Sequence, residues 1–152
     1  VRLGWTVVPK ALTFEDGSLL HTACNRVTTT FFNGASTLSQ KAGIAALSAA
    51  GLQGIADIRD FYLENALLIE ETLESLGFPA FGGENAPYVW VDFSPKTSWE
   101  SFDELLNTLQ IVTVPGVGFG KAGEGFIRFS AFAPRVTILE SMARITERVS
   151  FC

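Results

Sequence analysis

Residues 114–132 read Val-Pro-Gly-Val-Gly-Phe-Gly-Lys-Ala-Gly-Glu-Gly-Phe-Ile-Arg-Phe-Ser-Ala-Phe. Two β-prone runs, Ile111 to Val114 and Phe126 to Phe132, flank a glycine-rich loop, so the stretch predicts strand, loop, strand. Gly118-Phe119-Gly120-Lys121-Ala122-Gly123 has the letters of the dinucleotide fingerprint G-x-G-x-x-G. That fingerprint binds a pyrophosphate only where its last glycine opens a helix whose N–H groups face the phosphates. Here Gly125 runs straight into a strand. Gly120-Lys121 fails as a Walker A loop as well, because Pro115 stands five positions before Gly120 and Ala122 replaces the Ser/Thr that would bind magnesium. The loop reads as a shaped connector between strands.

Arg128 stands inside the second of those strands with apolar and aromatic neighbours on both sides. A guanidinium in such surroundings needs an anion or an outlet to water, since an unpaired buried charge is costly. A bound carboxylate would meet the need, because the planar fork of arginine accepts two oxygens at once. An acidic side chain, or an edge position facing solvent, would meet it equally well.

Outward from this stretch, Pro87-Tyr88-Val89-Trp90-Val91-Asp92-Phe93 predicts a strand. Thr97-Ser98-Trp99-Glu100 has the form of a capping box ahead of Phe102, Leu105, Leu106 and Leu109. A last helix is expected over Val136 to Val149, with Ile138, Met142, Ile145 and Val149 in register. The strongest helix signal is Ile55, Ile58, Tyr62, Ala66, Ile69, Leu73 and Leu76 on one face, closed by Gly77. Before it, Ser39 to Ala50 predicts one helix of small residues, with an N-cap at Ser36 after the break at Asn33-Gly34. Leu19 to Phe32 fits helix or strand, Phe14 to Ser18 a turn, and Arg2 to Pro9 a β segment.

Composition sets wider bounds. In 152 residues, 47% are hydrophobic and the net charge is −5, which excludes a disordered chain and leaves one domain, or one domain plus part of another. The acidic balance, without basic clusters, argues against nucleic acid or an anionic membrane surface as partner. Cys24 and Cys152 have neither metal-ligand spacing nor the numbers of a disulfide framework, and Cys24 is expected as a buried free thiol. His21 has no triad partner at recognisable spacing, and Glu70, Glu71 and Glu74 read as the solvated side of the long helix. Taken alone, Arg2 is uninformative and Asn33 is a turn residue.

Four segments together resemble the LL-diaminopimelate aminotransferases, a family of fold-type I, class I/II aminotransferases. They are Val-Arg-Leu-Gly-Trp-Thr at the start, Phe-Phe-Asn-Gly-Ala-Ser at 31–36, Gly-Gly-Glu-Asn-Ala-Pro-Tyr-Val-Trp-Val at 82–91, and the whole of 114–132. The resemblance implies an α/β fold that is the C-terminal part of such an enzyme: residues 1–50 trailing from the large cofactor domain, 51–77 an interdomain helix, and 78–152 a small α/β domain. It implies pyridoxal 5'-phosphate as cofactor, with Arg2 on its phosphate. Arg128 would hold the substrate α-carboxylate, and Asn33 would reach the partner's site across a homodimer. The implied reaction moves an amino group between LL-diaminopimelate and 2-oxoglutarate in lysine biosynthesis, in bacterial cytoplasm or a plastid.

The family's cofactor-bearing lysine is expected about eight residues before Arg2, upstream of Val1, because Lys10, Lys41, Lys96 and Lys121 all lack its sequence context. No catalytic residue is therefore assigned within the segment. Two alternatives stay open at this level, a related aminotransferase acting on another amino acid and a non-catalytic α/β interaction module.

Overall fold

The computed structural model describes residues 2–32 and 34–149. The chain divides into two units, Val1–Ile55 and Ala56–Cys152.

The first unit is helical. Helix α1 spans Leu20–Phe31, α2 Thr37–Ala46 and α3 Ala49–Gly54. The helical option is thus realised for the segment after Leu19. Ser36 caps α2 as expected, its side chain accepting from the Ser39 N–H. The helix expected over Ser39 to Ala50 is instead two. Ser48 Oγ donates to the Ala45 carbonyl at 2.7 Å and accepts from the Gly51 N–H at 3.1 Å, which ends one helix and starts the next. The turn at 14–18 forms, with Asp16 accepting from the Ser18 backbone and hydroxyl. Those two bonds hold the Asp16 carboxyl below its ordinary range.

The β segment expected over Arg2 to Pro9 does not form. A strand needs a neighbour to receive its N–H and C=O groups, and among the described residues this segment has none. Trp5 and Val7 are left 71% and 80% exposed. Across the described residues of 2–55, none is buried. Cys24, expected to be buried, is a half-exposed free thiol.

The second unit has a hydrophobic core. Helix α4 spans Ala56–Ser75 and is followed by strands β1 (Ala80–Gly82) and β2 (Tyr88–Asp92). Helix α5 is Ser98–Leu109, β3 Val114–Pro115, β4 Phe126–Ser130 and α6 Arg135–Val149. The sheet order is β1-β2-β4-β3, and every pairing is antiparallel. Val89 and Val91 on β2 and Ile127 and Phe129 on β4 point to one face. They share a core with Ala66, Ile69 and Leu73 of α4, Leu105 of α5, and Ile138, Met142 and Ile145 of α6.

Local chemistry explains the helix ends. Gly77, at φ +89°, closes α4, with its N–H bonded to the Glu74 carbonyl and the Phe78 N–H to the Leu73 carbonyl. The capping box at Thr97 forms in both directions. The apolar stripe of α4 is covered only from Tyr62 onward. Ile58 is exposed and Ile55 lies before the helix, because a 20-residue helix, about 30 Å long, outreaches the short strands beneath it. The strand expected over Ile111 to Val114 shrinks to Val114–Pro115. The Ile111 N–H is spent closing α5, bonded to the Leu105 carbonyl at 2.9 Å, so it cannot join a ladder. Strand β1 was not foreseen as an element of its own; three residues are too few to show alternation.

Candidate functional site

The sheet face opposite the core carries Tyr88, Trp90 and Asp92 from β2 and Phe126, Arg128 and Ser130 from β4, because alternate residues of a strand share a face. Arg128 lies opposite Trp90 on one side and Val114 on the other. Its half-buried guanidinium lies against two rings, with Cζ 4.5 Å from the Tyr88 centroid and 4.6 Å from that of Phe119. Among the described residues no carboxylate pairs with it. Its Nε is buried and has no hydrogen-bond acceptor.

Among the described residues, Arg128 is thus a positive charge with an unmet donor and no acidic partner. Cation–π contacts with two rings hold the charge in place, but a π face cannot accept the in-plane N–H bonds of the fork. An unmet buried donor costs about 1–3 kcal/mol, and the rest of the fork is suited to a two-oxygen anion.

Around Arg128 the face is aromatic. Trp90 meets Phe119 edge to face at 5.2 Å and Phe126 at 6.4 Å, while Phe132 packs on both Tyr88 and Tyr62. A hollow of about 590 Å³ lined by Phe81, Glu84, Asn85, Tyr88 and Trp90 opens on this face. Glu70 also lines it, and burial together with the charges of Glu74, Glu84 and Glu71 pushes its carboxyl above the ordinary value. Glu71 and Glu74 are exposed as expected, whereas Glu70 is half-buried.

The glycine-rich loop is folded as two short 3-10 turns, Gly116–Phe119 and Lys121–Gly123, and enters β4 directly. Its backbone is pinched. A Cβ on Gly116 would lie 2.3 Å from the Gly123 carbonyl oxygen, and one on Gly123 would lie 2.2 Å from that of Gly116. These glycines serve backbone contact and leave no phosphate cradle. Ser98 locks the pinch from the start of α5: its hydroxyl donates to the Gly123 carbonyl at 3.0 Å and accepts from the Val117 N–H at 3.4 Å. The Ser98 N–H donates to Glu124 Oε1 at 2.7 Å.

Asn65 is a further residue the sequence pattern understated. It is fully buried in α4, and its Nδ2 donates to the carbonyls of Ala131 and Ala133, just beyond β4. A signal existed: Asn65 falls three after Tyr62 and four before Ile69, on the apolar stripe itself. Nothing in the spacing marked Ser98 or Glu124 as supports of the loop.

Arg2 belongs to the first unit and Arg128 to the second. Arg2 is exposed, without a carboxylate partner among the described residues. Asn33 and Cys152 lie outside the described residues. Among the described residues, no cluster of His, Cys, Asp and Glu could hold a metal ion, and no helix is long and apolar enough to cross a membrane.

Comparison with known proteins gives a consistent answer. Residues 1–145 match the family described as aminotransferase class I and II. An LL-diaminopimelate aminotransferase of Protochlamydia amoebophila is 50% identical over 145 residues, covering 95% of this chain and 35% of that protein. A probable chloroplastic LL-diaminopimelate aminotransferase of Oryza sativa is 50% identical over 147 residues, 97% of this chain and 32% of that one. The solved L,L-diaminopimelate aminotransferase of Chlamydomonas reinhardtii superposes with a TM-score of 0.88 at 50% identity, over 98% of this chain and 37% of that one. The chain thus spans about a third of the length of the curated relatives it matches. With a family match over nearly its whole length and a fold that superposes on a solved member, this chain belongs to the class I and II aminotransferases.

Proposed function

We propose that the chain is the C-terminal part of a homodimeric, pyridoxal-phosphate-dependent transaminase that moves an amino group between LL-diaminopimelate and 2-oxoglutarate. The observation that carries this is Arg128, in contact with the Tyr88 and Phe119 rings, with a buried donor unmet and no acidic partner among the described residues. Such a group is suited to the α-carboxylate of an amino acid. Names carried by relatives at 50% identity supply the choice of diaminopimelate.

In this proposal residues 1–50 trail from the cofactor domain, 51–77 link, and 78–152 form the small domain that presents Arg128. The exposed guanidinium of Arg2, without an acidic partner among the described residues, fits a phosphate group and would hold that of the cofactor. When bound, pyridoxal phosphate supplies an electron sink for the charge that develops at the substrate Cα as its C–H bond breaks. Arg128 fixes the carboxylate, and with it the direction of that bond. Asn33 would serve the partner's site. A bacterial cytoplasmic or plastid setting belongs to the same proposal, and bacterial and chloroplastic relatives support it.

The test uses the full-length polypeptide that carries this segment, supplied with pyridoxal phosphate and a panel of amino donors. LL-diaminopimelate is expected to be the preferred donor, and Arg128→Ala to lose about a hundredfold or more in kcat/KM, the usual result of removing one side of a charged, bidentate contact. Preference for another donor would move the protein to a neighbouring specificity. Unchanged kcat/KM in Arg128→Ala would remove the carboxylate role.

A further inference from the structure

Besides Tyr88, a second ring meets the Arg128 guanidinium, from a residue that belongs to no strand. Phe119 ends the first 3-10 turn of the glycine-rich loop, and its ring centroid lies 4.6 Å from the guanidinium carbon. It is 55% exposed, so it contributes little to the core. Its other ring contact is edge to face on Trp90, the cross-strand partner of Arg128. The loop beneath it is tied down: two glycines are in backbone contact, and Ser98 bonds to both limbs of the loop and donates its N–H to Glu124.

We infer that Phe119 is a positioning residue for Arg128: with Tyr88 it clamps the guanidinium plane between two rings, so that an incoming carboxylate meets the in-plane edge of the fork. This rests on the proposal that Arg128 binds a carboxylate. The physical reason is geometric. A carboxylate makes two parallel hydrogen bonds only in the plane of the guanidinium, and an aromatic ring on each face blocks stacked or face-on approaches while leaving that plane free. An arginine restrained in this way loses less rotamer freedom when the ligand arrives. The same relation gives the loop sequence a purpose that phosphate binding does not. The glycines allow the backbone to fold tightly enough to set one ring over one charge.

The experiment uses the full-length polypeptide with its cofactor and compares Phe119→Leu, Phe119→Tyr and Arg128→Ala. The donors are LL-diaminopimelate, L-glutamate and 1,5-diaminopentane, the last carrying amines and no carboxylate. Phe119→Leu keeps an apolar side chain and removes the ring. It is expected to raise KM for both carboxylate donors about tenfold with kcat within about threefold, to leave kcat/KM for 1,5-diaminopentane unchanged, and to keep the thermal midpoint. Phe119→Tyr restores the KM. Equal losses on all three donors, or an unchanged KM in folded Phe119→Leu, overturn the inference. Should leucine lower the midpoint, Phe119→Met runs the same arms, and unfolding of both variants marks a structural role and also overturns it. If Arg128→Ala itself leaves KM for carboxylate donors unchanged, the carboxylate proposal has failed; if only the Phe119 variants are silent, the clamp alone has failed.

Discussion

The Asn65 side chain, inside helix α4, donates to the carbonyl oxygen of Ala133 at 2.9 Å across 68 residues of sequence. A second bond, 3.2 Å to the Ala131 carbonyl, ties the same amide to the end of the strand that carries Arg128. The chain leaving β4 is therefore fastened to α4 by one buried amide.

Asn65→Ala is expected to destabilise the protein by about 2 kcal/mol, because the Ala133 carbonyl loses the Asn65 donor, the Ala131 carbonyl keeps only its bond from the Ala133 N–H, and a small cavity opens. Urea denaturation measures it. Asn65→Leu fills the volume but removes both amide bonds, leaving the Ala133 carbonyl without the Asn65 donor, so it should recover little; full recovery by leucine would mean that packing, not hydrogen bonding, is what Asn65 contributes.

The two units should differ sharply when separated. No described residue of 2–55 is buried, whereas the buried hydrophobic side chains among the described residues all lie between Ala66 and Ile145. A fragment of residues 56–152 should unfold cooperatively in denaturant, and a fragment of residues 1–55 should show no cooperative transition, since helices of that length are marginal without packing. Circular dichroism against urea decides it; a cooperative transition in the short fragment would contradict the assignment of the core.

Two carboxyls should respond to pH with opposite sign. Thr97, through its backbone N–H first and its side chain second, holds Glu100 below its ordinary value of 4.5. A depressed folded value means that the contribution is present above 4.5 and is lost as pH falls through the folded value. The stability advantage of the native protein over Glu100→Gln should accordingly shrink from pH about 7 to about 3. Glu70 is raised, by burial first and by Glu74, Glu84 and Glu71 after it. Its ionisation costs stability, which is lost as pH rises through the folded value, so Glu70→Gln should be the more stable protein at neutral pH and lose that advantage below 4.5. Urea midpoints of the two variants across this range test both signs.

Much of the secondary structure was legible because its causes are local. The Thr97 box, the Gly77 stop, the Ser36 cap and the α4 stripe each involve residues within a few positions of one another. Where the expectation failed, the deciding partner was remote or missing from the local pattern. Arg2 to Pro9 has strand composition but no ladder neighbour among the described residues, and Ile111 spends its N–H on a helix end. The site divides in the same way. Arg128 could be singled out from its apolar neighbours, and its resemblance to a family arginine added a role.

Residue types and short spacings were enough to establish that an arginine stands in an aromatic strand and that the glycine loop cannot be a phosphate cradle. Tertiary structure decided what surrounds that arginine. Tyr88 lies 40 residues before it and Phe119 is delivered by a loop that Ser98 pins, so no local periodicity could bring these rings together. The absence of an acidic partner among the described residues is likewise a property of three-dimensional packing, since any carboxylate in the chain could have answered the charge. Burial raises the cost of leaving it unanswered, and it is burial that turns one letter of sequence into a candidate site.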